Sequence, residues 1–291
     1  MLADRDPAVL RVLPAGYLPL FRRLVDVAVA DERVLAVWLG GSLGRGVADA
    51  GSDLDVILTV AGDAFGEFAA HWRDWLARVT PTVLARQLPG APGSWHSLTP
   101  DCERLDVVTE AAGGEPRLPR SQRLLVFDRD GAAGAAGGPP GSAGSPAGPD
   151  PGKLAGITEE FLRQQAIFPP AVVARGDWLL GVAGTEQVHL MLYELFVEAN
   201  QPLPVMGVKQ WSAKLTAAQR ACLEALPPPA PRRDAVLETM RAAAAEFRAQ
   251  AREILGAHQV PWPDALDAAV IAYQERELGW WAPGQQSPGP Q

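Results

Sequence analysis

The sequence predicts an α+β fold: an N-terminal mixed sheet with flanking helices, followed by an all-helical C-terminal half. Three observations carry this. Short apolar runs rich in β-branched residues alternate with amphipathic stretches up to about residue 129. The segment DGAAGAAGGPPGSAGSPAGPDPGK, residues 130–153, holds almost no side chains able to bury apolar area and so cannot offset its ordering entropy. Beyond it the apolar spacing is helical, interrupted at Pro169-Pro170, Pro202-Leu203-Pro204, Pro227-Pro228-Pro229 and Pro261-Trp262-Pro263. The expected organisation is a first domain over 1–129, a flexible linker over 130–153, a helical domain over 154–282 and a disordered tail over 283–291.

The elements follow in order. Tyr17 to Ala30 reads as an amphipathic helix, with Leu20, Leu24, Val27 and Ala28 on one face. Val34 to Leu39 is a short apolar strand, a helix is expected to start near Ser42 and run toward Val47, and Leu54 to Val60 is a β-branched strand. Phe65 to Arg78 returns to helical spacing, with Trp72 and Trp75 on one buried face. Thr82 to Leu88, Arg104 to Thr109 and Leu124 to Phe127 are further strands. Helices are expected over Ile157–Phe168, Trp178–Ala199, Ala213–Leu226, Arg232–Leu255 and Ala265–Trp281.

Bulk properties exclude several classes. Across 291 residues the net charge is −8, which supplies no general pull toward nucleic acid backbones. The two cysteines, Cys102 and Cys222, match no metal or redox spacing and read as reduced thiols. The start MLADRDPAVLRV lacks the build of a signal peptide, and no apolar run approaches membrane-spanning length. A cytoplasmic protein without a membrane partner is expected.

The stretch VWLGGSLGRGVADAGSDLDVIL, residues 37–58, carries the chemistry. Gly40 to Gly44 satisfies G-x-S-x-G, yet only about forty residues and one good strand precede Ser42. A nucleophile elbow also needs an acid and then a histidine downstream on sheet loops, whereas His189 and His258 lie in the helical half. No Lys-Ser or Lys-Thr follows as in G-x-x-x-x-G-K-[ST], and the glycine order does not fit G-x-G-x-x-G. The aspartates offer a better reading. Asp53 and Asp55 sit at i and i+2 of a strand, pointing to one face about 7 Å apart, while Leu54 and Val56 face the core. Paired carboxylates repel unless a cation lies between them, and hard oxygen ligands suit Mg²⁺. Asp106, a lone acid inside the apolar run Arg104 to Val108, can supply a third carboxylate. Glycines let backbone N–H groups approach an anion, and the Ser42 hydroxyl can add a bond. A Mg²⁺-chelated nucleoside triphosphate is the matching ligand.

Gly41-Ser42, a short spacer, Asp53-x-Asp55 and the later Asp106 resemble the DNA polymerase β-like nucleotidyltransferases over about residues 34–110. Arg45-Gly46 and Ser52 are similar to the GS-x-x-R-G and S-D-x-D forms of small bacterial members. The run Asn200 to Trp211 is similar to the helical domain of antibiotic-modifying members acting on aminoglycosides or lincosamides. The resemblance implies a mixed sheet with a two-metal site: Asp53, Asp55 and Asp106 hold two Mg²⁺ ions, and Asp106 or Glu110 accepts the proton of the attacking hydroxyl. It implies nucleotide contacts from Gly41, Ser42, Arg45 and Ser52, and from Lys209, with Lys214 as its competitor. The expected reaction moves a nucleoside monophosphate, AMP from ATP or its equivalent from another NTP, to a hydroxyl of a small molecule. Transfer to a protein or tRNA is the alternative within enzymes, and a non-catalytic nucleotide-binding regulatory module the alternative outside them. A monomer or homodimer is expected.

Overall fold

The computed structural model describes residues 7–116, 118–131 and 148–281. The central part of the expected linker, 132–147, and the expected tail, 283–291, lie outside the described residues. Contacts divide the chain into two compact units: the strand-bearing half together with Pro204–Lys209, and the helical remainder.

In the first unit, α1 (Tyr17–Ala30) buries Leu20, Leu24 and Ala28 completely, as their i, i+4, i+8 spacing requires. β1 (Val34–Leu39) pairs antiparallel with β2 (Leu54–Val60). Between them α2 (Gly41–Gly44) is a single turn, shorter than the helix expected to reach Val47. It stops because Gly46 takes the left-handed φ of +72° that glycine tolerates. The stretch expected as one helix over 65–78 divides at His71 into α3 (Phe65–Ala70) and α4 (Trp72–Val79).

The remaining strands are β3 (Leu84–Gln87), β4 (Trp95–Leu98), β5 (Arg104–Ala111) and β6 (Leu124–Asp128). β4 was not expected, since four residues are too few for alternation to stand out. Tertiary packing holds it: the Trp95 ring is fully buried, stacked 5.0 Å from Trp72 and tilted against Trp75 at 5.9 Å. The described sheet runs β3-β4-β5-β2-β1-β6, with β2 and β5 parallel and every other pair antiparallel. It is the mixed sheet with flanking helices that the sequence predicted.

Period-two alternation divides the side chains between the faces. Val37, Leu39, Leu54, Val56, Leu58, Leu105 and Val107 join the main core with α1, α3 and α4. Ala36, Trp38 and Ile57 form a small cluster on the opposite face, with Val108 and Leu125 against it. Asp55 and Asp106 fall in the second phase and so point away from the helix-covered face.

The helical unit contains α5 (Pro151–Phe168), α6 (Trp178–Ala199), α7 (Ala217–Ala225), α8 (Arg233–Ala257) and α9 (Asp264–Leu278). α5 begins inside the stretch read as linker, because the Asp150 carboxylate accepts the N–H groups of Gly152 and Lys153 and Pro151 opens the first turn. At Pro169-Pro170 the chain continues as a π-helical turn, Pro169–Val173, instead of breaking outright. α7 starts later than the expected Ala213, where Thr216 and Gln219 form a capping box. Phe161 of α5 stacks on Phe247 of α8 at 3.8 Å in the centre of this unit.

Gly44 lets α2 lie directly on the sheet: a Cβ there would collide with the backbone carbonyls of Gln122 and Leu39. Backbone cannot rotate aside as a side chain can. Gly44→Ala should therefore destabilise the protein by about 1–3 kcal/mol, read as a lower urea midpoint at unchanged m-value.

Candidate active site

The parallel register of β2 and β5 sets Asp55 directly beside Asp106, about 4.8 Å apart at the backbone. On the other side of β5, the antiparallel register sets His96 beside Asp106. Asp106 thus has an acid on one flank and a histidine on the other. Burial, then the charges of Asp106 and Asp53, push the Asp55 carboxyl up to about 6. Burial, then the charge of Asp53, also raises Asp106, while His96, Lys209 and Arg104 pull it back down. Two neighbouring acids that both resist ionisation are a store of unfavourable charge.

Asp53 is in a different state. Its Oδ1 accepts Arg104 Nη2 at 2.7 Å, and Lys209 Nζ approaches both oxygens at 2.9 and 2.7 Å. Arg104 is itself anchored, since Nη2 also donates to the Gly51 carbonyl at 2.6 Å and its backbone N–H to the Tyr17 hydroxyl at 3.0 Å. It also borders an open cleft of about 500 Å³ lined by Tyr17, Ala50, Asp101, Cys102 and Glu103.

The glycine-serine loop meets the acids closely. The Gly40 N–H donates to the Asp55 carbonyl at 2.9 Å. Gly41 has φ +54°, and a Cβ at that position would overlap the Asp55 carboxylate. Both the backbone conformation and the space require glycine there. Ser42 is half-buried, and its hydroxyl has no protein partner among the described residues. Arg45 ends α2 close enough for its charge to act on Asp55.

The sequence candidates Gly41, Ser42, Arg45, Asp53, Asp55, Asp106 and Lys209 therefore converge. Two others do not. Glu110 shares the face of Asp106 but lies a further four residues along β5, where both its oxygens accept from Arg123 at 2.9 and 3.1 Å. That ion pair is buried, so Glu110 is a structural partner and not a free proton acceptor. Ser52 closes a turn with Asp49: its hydroxyl accepts the Asp49 N–H at 3.0 Å and donates to the Asp49 carboxylate at 3.2 Å. Its hydroxyl is thus engaged within the turn that leads into β2. Lys214, the rival of Lys209, lies in the helical unit, where its carbonyl accepts from Asn200.

Arg104 and His96 are the site residues that sequence reasoning missed. Arg104 precedes Asp106 by two residues, so strand alternation already placed it on the acidic face. His96 carried no comparable signal, because its strand was itself unrecognised.

No family model matches the chain, and no curated protein matches it. Among solved structures the chain is similar to an aminoglycoside 6-adenyltransferase from Bacillus subtilis. The identity is 14% and the TM-score 0.40, over 93% of this chain and 98% of the other.

Among the described residues, no group of three or more His, Cys, Asp or Glu side chains is gathered tightly enough to enclose a metal ion. The Asp53 oxygens are held by Lys209 and Arg104. The donor chemistry nonetheless fits a hard divalent cation. Asp55 and Asp106 are adjacent oxygen ligands whose mutual repulsion a positive ion would relieve.

This electrostatic cost has a sign that can be checked. The fold keeps the Asp55 proton up to about pH 6, whereas an unfolded aspartate releases it near 4. Between those values the native state binds more protons than the unfolded state, so stability falls as pH rises. With chelator present, Asp55→Asn should stabilise the protein at neutral pH, by up to about 3 kcal/mol. The advantage should vanish below about pH 4, and thermal unfolding of both proteins across that range checks it.

Proposed function

We propose that this chain is a Mg²⁺-dependent nucleotidyltransferase that moves a nucleoside monophosphate from an NTP to a hydroxyl of a small molecule. The single observation carrying the reading is the in-register pair Asp55 and Asp106, with the tight Gly41-Ser42 loop packed on Asp55. Asp55 and Asp106, together with Asp53, would hold the divalent ions, which when bound supply charge neutralisation at a triphosphate and at the departing pyrophosphate.

The residues of the chain divide the remaining work. Gly41 leaves its backbone bare of any Cβ, so phosphate oxygens can come close to the loop, and the Ser42 hydroxyl can donate to one of them. Arg45, the next cation along the loop, adds positive charge on that side. Asp106 takes the proton of the attacking hydroxyl, a role that suits a carboxylate whose basicity is raised. With Glu110 committed to Arg123, Asp106 is the better placed of the two acids considered for that step. Arg104 holds Asp53 in position from the neighbouring strand.

Incubation with labelled ATP, Mg²⁺ and a panel of aminoglycosides and lincosamides tests the reading, scored by a mass increase of one nucleoside monophosphate. Label on the protein or on RNA would instead identify a macromolecular acceptor. With an acceptor in hand, Asp55→Asn and Asp106→Asn should each lower turnover at least about 100-fold with the circular dichroism spectrum unchanged. Wild-type-like turnover in either variant overturns the assignment.

A further inference from the structure

Pro204–Lys209 forms a strap that belongs by contact to the sheet-bearing unit, although Leu203 before it and Gln210 after it belong to the helical one. At the end of the strap, the Lys209 ammonium spans both oxygens of Asp53. The lysine side chain is 67% exposed and Asp53 only 16%, so the cation reaches in from solvent to a largely enclosed acid.

The two cations on Asp53 differ in how firmly they are held. Arg104 sits on a strand, shares its guanidinium with the Gly51 carbonyl and is fixed at the backbone by Tyr17. The Lys209 ammonium directs its hydrogen bonds at Asp53, while its charge also acts on Asp55 and Asp106, and its flexible stem is exposed. A lysine ammonium is a compact charge on a flexible stem, and an exposed ion pair of this kind is weak. If one of the two gives way, it is Lys209.

We propose that Lys209 is a tethered placeholder for a divalent cation: it occupies Asp53 in the ion-free protein and leaves when the ion binds. The proposal rests on the reading of Asp53, Asp55 and Asp106 as the cation-holding set. An ammonium on both Asp53 oxygens denies them to a metal and repels its charge. Ion binding and docking of the strap on Asp53 therefore oppose each other, and by linkage each weakens the other by the same factor. The displaced ammonium is released beside the position where a triphosphate would bring negative charge. The same lysine can then move from an acid in the ion-free protein to an anion in the loaded one, without a new residue being recruited. The strap thus senses whether the cation has arrived.

The test uses the full-length protein and Mn²⁺ alone, without nucleotide. Free Mn²⁺ is counted by electron paramagnetic resonance during titration of the wild type, Lys209→Met and, as a control, Lys214→Met. Lys209→Met should bind Mn²⁺ about tenfold more tightly, a gain of about 1.4 kcal/mol, and Lys214→Met should match the wild type. In the wild type, saturating Mn²⁺ should accelerate amide hydrogen exchange over Val205–Lys209. Equal affinity in wild type and Lys209→Met overturns the placeholder while leaving the nucleotidyltransferase reading standing. Tighter binding with no change in wild-type exchange also overturns it, because simple removal of a positive charge then accounts for the gain. Absence of Mn²⁺ binding in all three proteins overturns both. The exchange measurement needs no substitution, so it decides even where a variant folds poorly.

Discussion

The parallel pairing of β2 with β5 is the constraint on which the rest of the site depends. Antiparallel neighbours can be joined by a tight turn, but a parallel pair needs a crossover. Here the crossover contains α3, α4, β3 and β4. The crossover helices close one face of the sheet with Phe68, Trp72 and Trp75. Their burial leaves the other face to carry the acids. The same pairing sets the register, so Asp55 meets Asp106 and not the apolar Leu105 or Val107. A slip of one residue would turn Asp106 into the core and dissolve the site.

Along β5 the acidic face has two ends of different character. At the Arg104 end, Asp55 and Asp106 stand side by side without an ion-paired cation of their own, and both resist ionisation. At the far end Glu110 is closed off by Arg123, whose guanidinium also lies 5.5 Å from the Trp38 ring. Identical chemistry, a carboxylate on an alternating strand position, gives a receptive site at one end and a structural clasp at the other. The difference is the cation within reach.

Much of this was legible in the residues, and the divisions follow the range of the forces involved. α1, β1, β2 and α6 coincide with their expected bounds because periodicity is a local property. Asp53 and Asp55 were readable as acids sharing a face for the same reason, and Asp106 as a lone acid inside an apolar strand. Gly41 was readable as a place needing glycine, though its contact with Asp55 was not. Strand pairing is non-local, so the neighbours Asp55 and Asp106, and the presence of His96 beside them, follow only from the fold. β4 escaped because Trp95 is held by the rings of Trp72 and Trp75 and not by propensity. Glu110 and Ser52 looked available because Arg123 and Asp49 are ordinary surface types in a sequence, and only geometry turns them into partners.

The pair Lys209 and Asp53 joins positions 156 residues apart. The sheet and its glycine loop are complete by the end of β6, yet the charge on Asp53 is balanced in part by a residue encoded far downstream. The electrical boundary of the site is therefore wider than its architectural boundary. A fragment ending after β6 would retain the strands of the described sheet and lose one of the cations that steady Asp53. Its acids would then be those of a different molecule, even with the fold unchanged.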